Sequence, residues 1–300
     1  MAIAPVQPGT GAAAVAARAS GASPSGPTAA DAVDRAVAIL AGRRAVVLTG
    51  AGVSTDSGIP DYRGPGSPAR RPMTIAEFRS GPASRQRYWA RSHIGWARIR
   101  DARPNGGHHA LAELQAAGAV GTVITQNVDG LHSAAGSAPV IDLHGRLDTV
   151  VCLDCGRRTA RSELERRLAD LNPGFEDRTA APAADAPDGD ADLADTSSFV
   201  VADCRSCGGV LKPDVVFFGE NVPAERVRRS YRAVDQASAM LVAGSSLAVM
   251  SGLRFVKHAA ARGIPVVIVN RGATRGDRLA AVTIDAGCTP VLQDLAHALV

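Results

Sequence analysis

The stretch AVVLTGAGVSTDSGIPDYRG, residues 45–64, decides the fold. Its first part, AVVLTG (45–50), is apolar throughout and rich in β-branched residues, the pattern of a strand buried on both faces of a parallel sheet. Gly50 and Gly52 then flank Ala51 where the strand is expected to give way to a helix. Glycines there let the backbone approach a pyrophosphate, with a helix N-terminus facing its charge. The third glycine of a dinucleotide fingerprint is missing, and Thr55 stands in its place. A bare G-x-G fits a structural tight turn nearly as well. The residues beyond the turn shift the balance: Ser54, Asp61, Tyr62 and Arg63 add hydroxyl, acid, aromatic and cation, a collection a fold-only loop has little need of.

Similar apolar runs recur at VGTVITQN (120–127), APVIDLHG (138–145), AMLVAGSS (239–246) and PVVIVN (265–270). Helix-compatible stretches accompany them: DAVDRAVAILAGRR (31–44), HHALAELQAAG (108–118) and SGLRFVKHAAARG (251–263), the last closed by a glycine stop. Strand and helix in alternation predict an α/β fold, a doubly wound, Rossmann-like parallel sheet, spanning 31–151 and 210–300. Residues 65–107 carry arginines, aromatics and prolines and read as a mobile loop and helical excursion. Residues 152–209 read as a smaller inserted domain. Residues 1–30, rich in Ala, Gly, Ser and Pro, have too little to bury to offset ordering entropy and are expected to be a disordered tail.

The 46% hydrophobic content is ample for a core, and no apolar run approaches the roughly 20 residues of a membrane span. The formal net charge is +4, carried almost entirely by arginine, and no compact basic run appears. No membrane and no specific nucleic-acid partner is therefore expected. The N-terminus lacks the charged start and apolar core of an export signal, and its alanine-rich, acid-free character only faintly fits an organellar transit peptide. A cytoplasmic monomer is expected.

Four of the five cysteines, Cys152, Cys155, Cys204 and Cys207, form two C-x-x-C pairs. Four thiolates complete a tetrahedral zinc shell with no open position, so one structural zinc per chain is expected. The stretch between the pairs, PAADAPDGDADLAD (182–195), is acidic and reads as a solvated loop insertion, which a chain accommodates at small closure cost.

Other polar residues fall at strand ends, where a doubly wound sheet forms its ligand crevice. Gln126, Asn127 and Asp129 could hold ribose hydroxyls and a carboxamide, or simply cap a turn. His144, between the PVIDL run and Gly145, is ambiguous alone. On a crevice edge, an unperturbed pKa near 6.5 suits a general base.

Taken in order, GAGVSTDSGIPDYRG, TQNVDGLH (125–132), LHG (143–145), the cysteine pairs, KPDVVFFGE (212–220), GSSL (244–247) and VNRG (269–272) resemble the sirtuin family. RQRYWARSHIGW (85–96), CLDCG (152–156) and the late Cys288 are similar to its class II branch, which includes a mitochondrial lipoamidase and ADP-ribosyltransferase. The resemblance implies an NAD-dependent protein-lysine deacylase, with acyl-lysine protein or peptide as partner and NAD as co-substrate. It implies that the acyl oxygen displaces nicotinamide from the ribose. His144 then deprotonates the ribose diol, giving free lysine and O-acyl-ADP-ribose. By the same resemblance Asn127 and Asp129 join His144 in the chemistry. NAD would be held by Gly50, Ala51, Gly52, Ser54, Ile59, Pro60, Asp61, Tyr62, Arg63, Gln126, Gly244, Ser245, Ser246, Asn270, Arg271, Gly272 and the backbone of Cys288. The peptide would meet Val216, Phe218, Gly219 and Glu220 at the end of the run VVFFG (215–219), read as a buried strand. Tyr88 and Arg91 form a Y-x-x-R pair that in desuccinylases of the family holds an acidic acyl chain; Trp89 and Trp96 could instead line a pocket for longer acyl groups. Mono-ADP-ribosyl transfer to protein and a non-catalytic NAD-binding sensor remain the alternatives.

Overall fold

The computed structural model describes residues 29–62, 72–178, 193 and 195–300. Helix α1 (Ala29–Leu40) leads into β1 (Ala45–Thr49), followed by α2 (Ile75–Arg79), α3 (Pro82–Asp101), α4 (Gly106–Ala116), β2 (Val120–Thr125), α5 (Leu131–Ala134) and β3 (Val140–Asp142). An excursion through β4 (Gly145–Cys152), β5 (Arg158–Ala160), α6 (Arg161–Leu171), α7 (Phe175–Arg178) and β6 (Leu211–Val215) comes next. The chain returns by α8 (Ala224–Asp235), β7 (Ala239–Ala243), α9 (Met250–Ala261), β8 (Val266–Asn270), β9 (Val282–Asp285) and α10 (Cys288–Leu299).

Successive residues of β1 point to opposite faces, and both faces are apolar, so helices must cover both. Val47 packs in one core with Leu111 of α4 and Leu292 of α10. Val46 and Leu48 pack in the other with Val234 of α8 and Phe255 of α9. The six strands run parallel in the order β3-β2-β1-β7-β8-β9. The chain moves outward from β1 to β3, then comes back to β7 on the other side of β1. The order therefore reverses between β1 and β7, and a ligand crevice belongs at the carboxyl ends of those two strands.

A second, antiparallel sheet of order β5-β4-β6 starts at Gly145, directly after His144, and closes at Val215. Its strands thus extend beyond the 152–209 segment on both sides. Among the described residues, no helix is long and apolar enough to cross a membrane.

Several expectations need correction. Among the described residues the glycine turn does not open an α-helix: residues 51–53 and 55–57 are two single 3-10 turns, too short to present a helix dipole. The run VVFFG is not a strand; LKPDV is, and the chain leaves the sheet after Val215. Gly219 has φ +78°, and Glu220 accepts the Phe217 amide at 2.9 Å, so the run closes as a turn. Strand β9 was not anticipated, because its alternating burial as an edge strand departs from the all-apolar pattern. Residues 1–28 of the expected tail, residues 65–71 of the excursion and nearly all of the acidic loop lie outside the described residues, whereas Ala29 and Ala30 belong to α1.

Beneath the crevice, His108 and His132 are buried with their rings 4.8 Å apart. Asn105 caps α4 by accepting from the amides of Gly107 and His108, and His108 Nδ1 accepts the Asn105 amide in return. His132 Nε2 meets Thr49 Oγ1 at 2.8 Å. Burial pushes His108 down to about 4, against the raising field of Asp129, and His132 down to about 3. Both rings stay neutral in the folded chain while the unfolded chain takes up protons below about pH 6.5. Stability is therefore present above that pH and is lost as pH falls toward 4, by about 1.4 kcal/mol per pH unit for each such histidine. Urea unfolding of the wild type at pH 8, 6 and 5 should show this slope, and His132→Gln should lessen it. Equal slopes in both chains would remove the histidine pair as its source.

Candidate functional site

The crevice is floored by backbone. Gly50 N donates to Ala243 O at 3.0 Å and Gly52 N to Gly244 O at 2.9 Å, so the turn after β1 is sewn to the turn after β7. Gly244 has φ +63°, and a Cβ on Gly52 would lie 2.8 Å from its Cα. Side chains at these positions would force the two turns apart, which is the physical need the glycines meet.

A polar network rises from this floor. Asn127 Nδ2 donates to Gly50 O and Ser54 Oγ, each at 3.0 Å, and Ser54 Oγ donates to Asp129 Oδ2 at 2.7 Å. Asp129 Oδ1 also accepts the Leu131 amide at 2.9 Å, so this acid does cap a local turn while facing the cleft. Gln126 Nε2 donates to Ser245 Oγ at 2.8 Å and to Thr49 O at 3.2 Å, tying β2 to both central strands.

His144 follows β3 at the same crevice edge. Its Nδ1 lies 2.9 Å from Gln126 O and its Nε2 lies 2.8 Å from Ser251 Oγ in the first turn of α9. A carbonyl only accepts, so Nδ1 carries the proton and Nε2 offers the lone pair. The expected ordinary pKa is corrected: burial pulls His144 down to about 4, assisted by Arg226 and opposed by the Gln126 carbonyl. The imidazole is thus neutral across the physiological range, and its base form is always available.

A cavity of about 680 Å³ runs along this edge. It brings together Gly50, Ala51, Gly52, Ser54, Ile59, Asp61 and Tyr62 with Gln126, Asn127, Asp129 and His144. From the later segments it gathers Tyr88, Val216, Phe218, Gly219, Glu220, Gly244, Ser245, Ser246, Asn270, Arg271, Gly272 and Cys288. Pro60 and Arg91 do not line it, and Arg63 lies outside the described residues. Cys288 is also a buried core thiol, with its pKa pushed up to about 12 by burial. Glu220 is committed to the fold as well, pairing with buried Lys212 at 3.0 Å. Trp89 and Trp96 are not pocket walls: they hold the buried Arg161 guanidinium between them, 5.0 and 5.2 Å from their ring centres. Sequence reasoning missed Phe217, Val249, Ser251 and Arg254, which line the cavity. The last three come after GSSL in VMSGLR, a run whose pattern marks only the start of a helix.

The cysteines converge at the far end of β4. Cys152 and Cys207 Sγ are 3.6 Å apart and Cys155 and Cys204 Sγ are 3.8 Å apart, and all four sulfurs lie within 4.8 Å of one another. Four sulfurs about 2.3 Å from a tetrahedral zinc stand about 3.8 Å apart, whereas a disulfide needs about 2.0 Å. The donor set fits zinc and leaves no fifth partner. Strand β4 leads from Gly145, next to His144, to Cys152, and none of the four cysteines lines the cavity, so a zinc held there would be structural.

Fold and crevice together define a nucleotide-binding α/β class of protein. Within that class the family model described as Sir2 family matches residues 50–251. The curated NAD-dependent protein deacetylase 1 of Mycobacterium avium (strain 104) is 60% identical over 265 residues, covering 88% of this chain and 94% of that protein. Its Streptomyces coelicolor namesake is 56% identical over 258 residues, covering 85% of each. A solved structure described as "Sir2-p53 peptide-NAD+" superposes with a TM-score of 0.71 at 30% identity, covering 88% of this chain and 97% of that one. The chain belongs to the Sir2, or sirtuin, family.

Proposed function

We propose that this chain is an NAD-dependent protein-lysine deacylase in which His144 is the general base. The observation that carries the reading is His144 itself: a neutral imidazole lining the cavity, its tautomer set by Gln126 O and its Nε2 lone pair met by the Ser251 hydroxyl. A chain that only bound a nucleotide would have no use for a base so placed.

The site residues fit NAD. The Gly50–Gly52 turn, with Ser245 and Ser246, offers close backbone and hydroxyls suited to phosphates; Asn270, Arg271, Gly272 and the Cys288 backbone suit the adenosine half; Gln126, Asn127 and Asp129 suit the nicotinamide ribose. When bound, NAD supplies the ribose carbon that exchanges nicotinamide for the acyl oxygen, and the hydroxyl that then takes the acyl group. The chain's own part is to fix these groups, exclude water with the Phe217 and Phe218 segment, and accept a proton at His144 Nε2. The acyl-lysine peptide lies extended against Val216, Phe218, Gly219 and Glu220 in the turn that follows β6. Mass spectrometry of products from NAD and mixed acyl-lysine peptides tests the reading: O-acyl-ADP-ribose supports it, and ADP-ribose attached to protein instead replaces it with the transferase. The finer placement in the class II branch rests on RQRYWARSHIGW, CLDCG and Cys288.

Acyl preference depends on which side chains reach the cavity. Tyr88 does, within an aromatic group with Phe78 and Phe217 at ring distances of 5.4 and 5.2 Å. Arg91, three residues on, does not line it. With Arg91 off the lining, the Y-x-x-R pair offers no cation beside Tyr88 to offset the desolvation of a carboxylate-ended chain. Neutral acyl groups should therefore be turned over in preference to succinyl, and Arg91→Ala should leave that order unchanged. Selective loss of acidic substrates in Arg91→Ala would restore the clamp.

A further inference from the structure

The geometry points to Ser251 as a proton-relay residue that carries a proton from a cleft hydroxyl to His144. The inference rests on the reading of His144 as base and goes beyond it. Because Nδ1–H is spent on the Gln126 carbonyl, Nε2 is the acceptor, and the 2.8 Å contact must be a hydrogen bond donated by Ser251 Oγ. The lone pair that would do the chemistry is thus already covered by a serine hydroxyl. Ser251 is itself one of the residues that line the cavity.

The placement is built into the fold. Ser251 is the second residue of α9, and the next residue is Gly252, where a Cβ would lie 2.6 Å from Gln126 Oε1. Glycine lets the first turn of α9 sit against Gln126, the same residue whose carbonyl orients His144. One residue of β2's exit thereby sets both ends of the pair: ring orientation through its carbonyl, serine position through its close packing.

Two arrangements could release the base. A substrate hydroxyl could push Ser251 aside, or it could bond to Ser251 Oγ and pass its proton through it. A serine oxygen has spare lone pairs, so the second needs no broken contact. The balance is then simple. The substrate O–H bond breaks as a new Oγ–H bond forms, the original Oγ–H bond breaks as Nε2–H forms, and the imidazolium left behind keeps its Nδ1–H bond to Gln126 O. No oxidant or further reactant is required.

The test compares Ser251→Ala, Ser251→Thr and His144→Ala. For the relay, Ser251→Ala should lower kcat about 10- to 100-fold with KM for peptide and NAD little changed, and Ser251→Thr, which keeps the hydroxyl, should restore most of it. A displaced cap predicts the reverse, with Ser251→Ala as fast as the wild type or faster, and would overturn the proposal. A second readout needs no NAD and no turnover. Nitrogen NMR of histidine-labelled chain should show His144 Nε2 unprotonated and hydrogen-bonded in the wild type and Ser251→Thr, and moved toward the free-lone-pair position in Ser251→Ala. An unmoved resonance, or a protonated Nε2, would also overturn it. Near-normal turnover in His144→Ala would instead sink the base assignment, so the two failures are distinct.

Discussion

His144→Ala should bind NAD almost as the wild type does while losing acyl transfer by about 10²–10⁴-fold, the usual contribution of a positioned general base. The expectation divides binding from chemistry because the two are carried by different atoms. The floor of the crevice is backbone, Gly50 N on Ala243 O and Gly52 N on Gly244 O, and His144 makes none of those contacts. Its two hydrogen bonds go to Gln126 O and Ser251 Oγ, and losing them leaves the Gln126 side chain still held by Ser245. Isothermal titration with NAD and a coupled nicotinamide-release assay, run beside product mass spectrometry, read the parts separately. Because burial holds the group near 4, kcat/KM should show no ionisation of His144 between pH 5 and 8. A variant with near-normal turnover would remove His144 from the mechanism, and weakened NAD binding alone would recast it as a structural contact.

How much of this site is legible in the sequence depends on whether a residue's role is local. The apolar runs at 45–50 and 239–246 reveal a doubly buried parallel strand because burial on both faces leaves a mark in every residue. The alternation of VTID leaves a weaker one, too weak to single out β9. Glycines after strands announce the crevice because close approach can be met by no other residue. The sequence places His144 correctly at the crevice edge but not its basicity, since desolvation depends on what packs around the ring and not on its neighbours in sequence. Trp89 and Trp96 show the same limit from the other side. Aromatics next to Tyr88 invite a pocket, but their partner is Arg161, some seventy residues along the chain and invisible to any local pattern. Ser251 escapes notice because a lone serine in a helix start has a bland explanation until its hydroxyl is seen against Nε2.

The zinc cluster carries the other large expected effect, on both stability and substrate binding. Cys152 and Cys204 are buried in one apolar core with Leu164, Leu168, Phe175 and Phe199, and that same core contains Tyr88 and Phe217. Those two line the cavity. The four thiolates close one corner of this core, where β4, β5 and β6 supply three short strands and little other cross-linking. Metal binding at such a corner contributes its free energy directly to folding. Metal analysis should return about one zinc per chain, and Cys207→Ser should lose it. Loss of a ligand should cost about 5 kcal/mol or more and lower Tm by roughly 10–20 °C. The harm should not stop there. With the core loosened, Tyr88 and Phe217 lose their fixed positions, so KM for acyl-peptide should rise well before NAD affinity falls, the glycine floor being anchored in the six-stranded sheet instead. A zinc-free chain with unchanged Tm would refute the structural role. A zinc-free chain that lost NAD and peptide binding together would show that the two sheets do not fail separately, and would refute the division of labour between them.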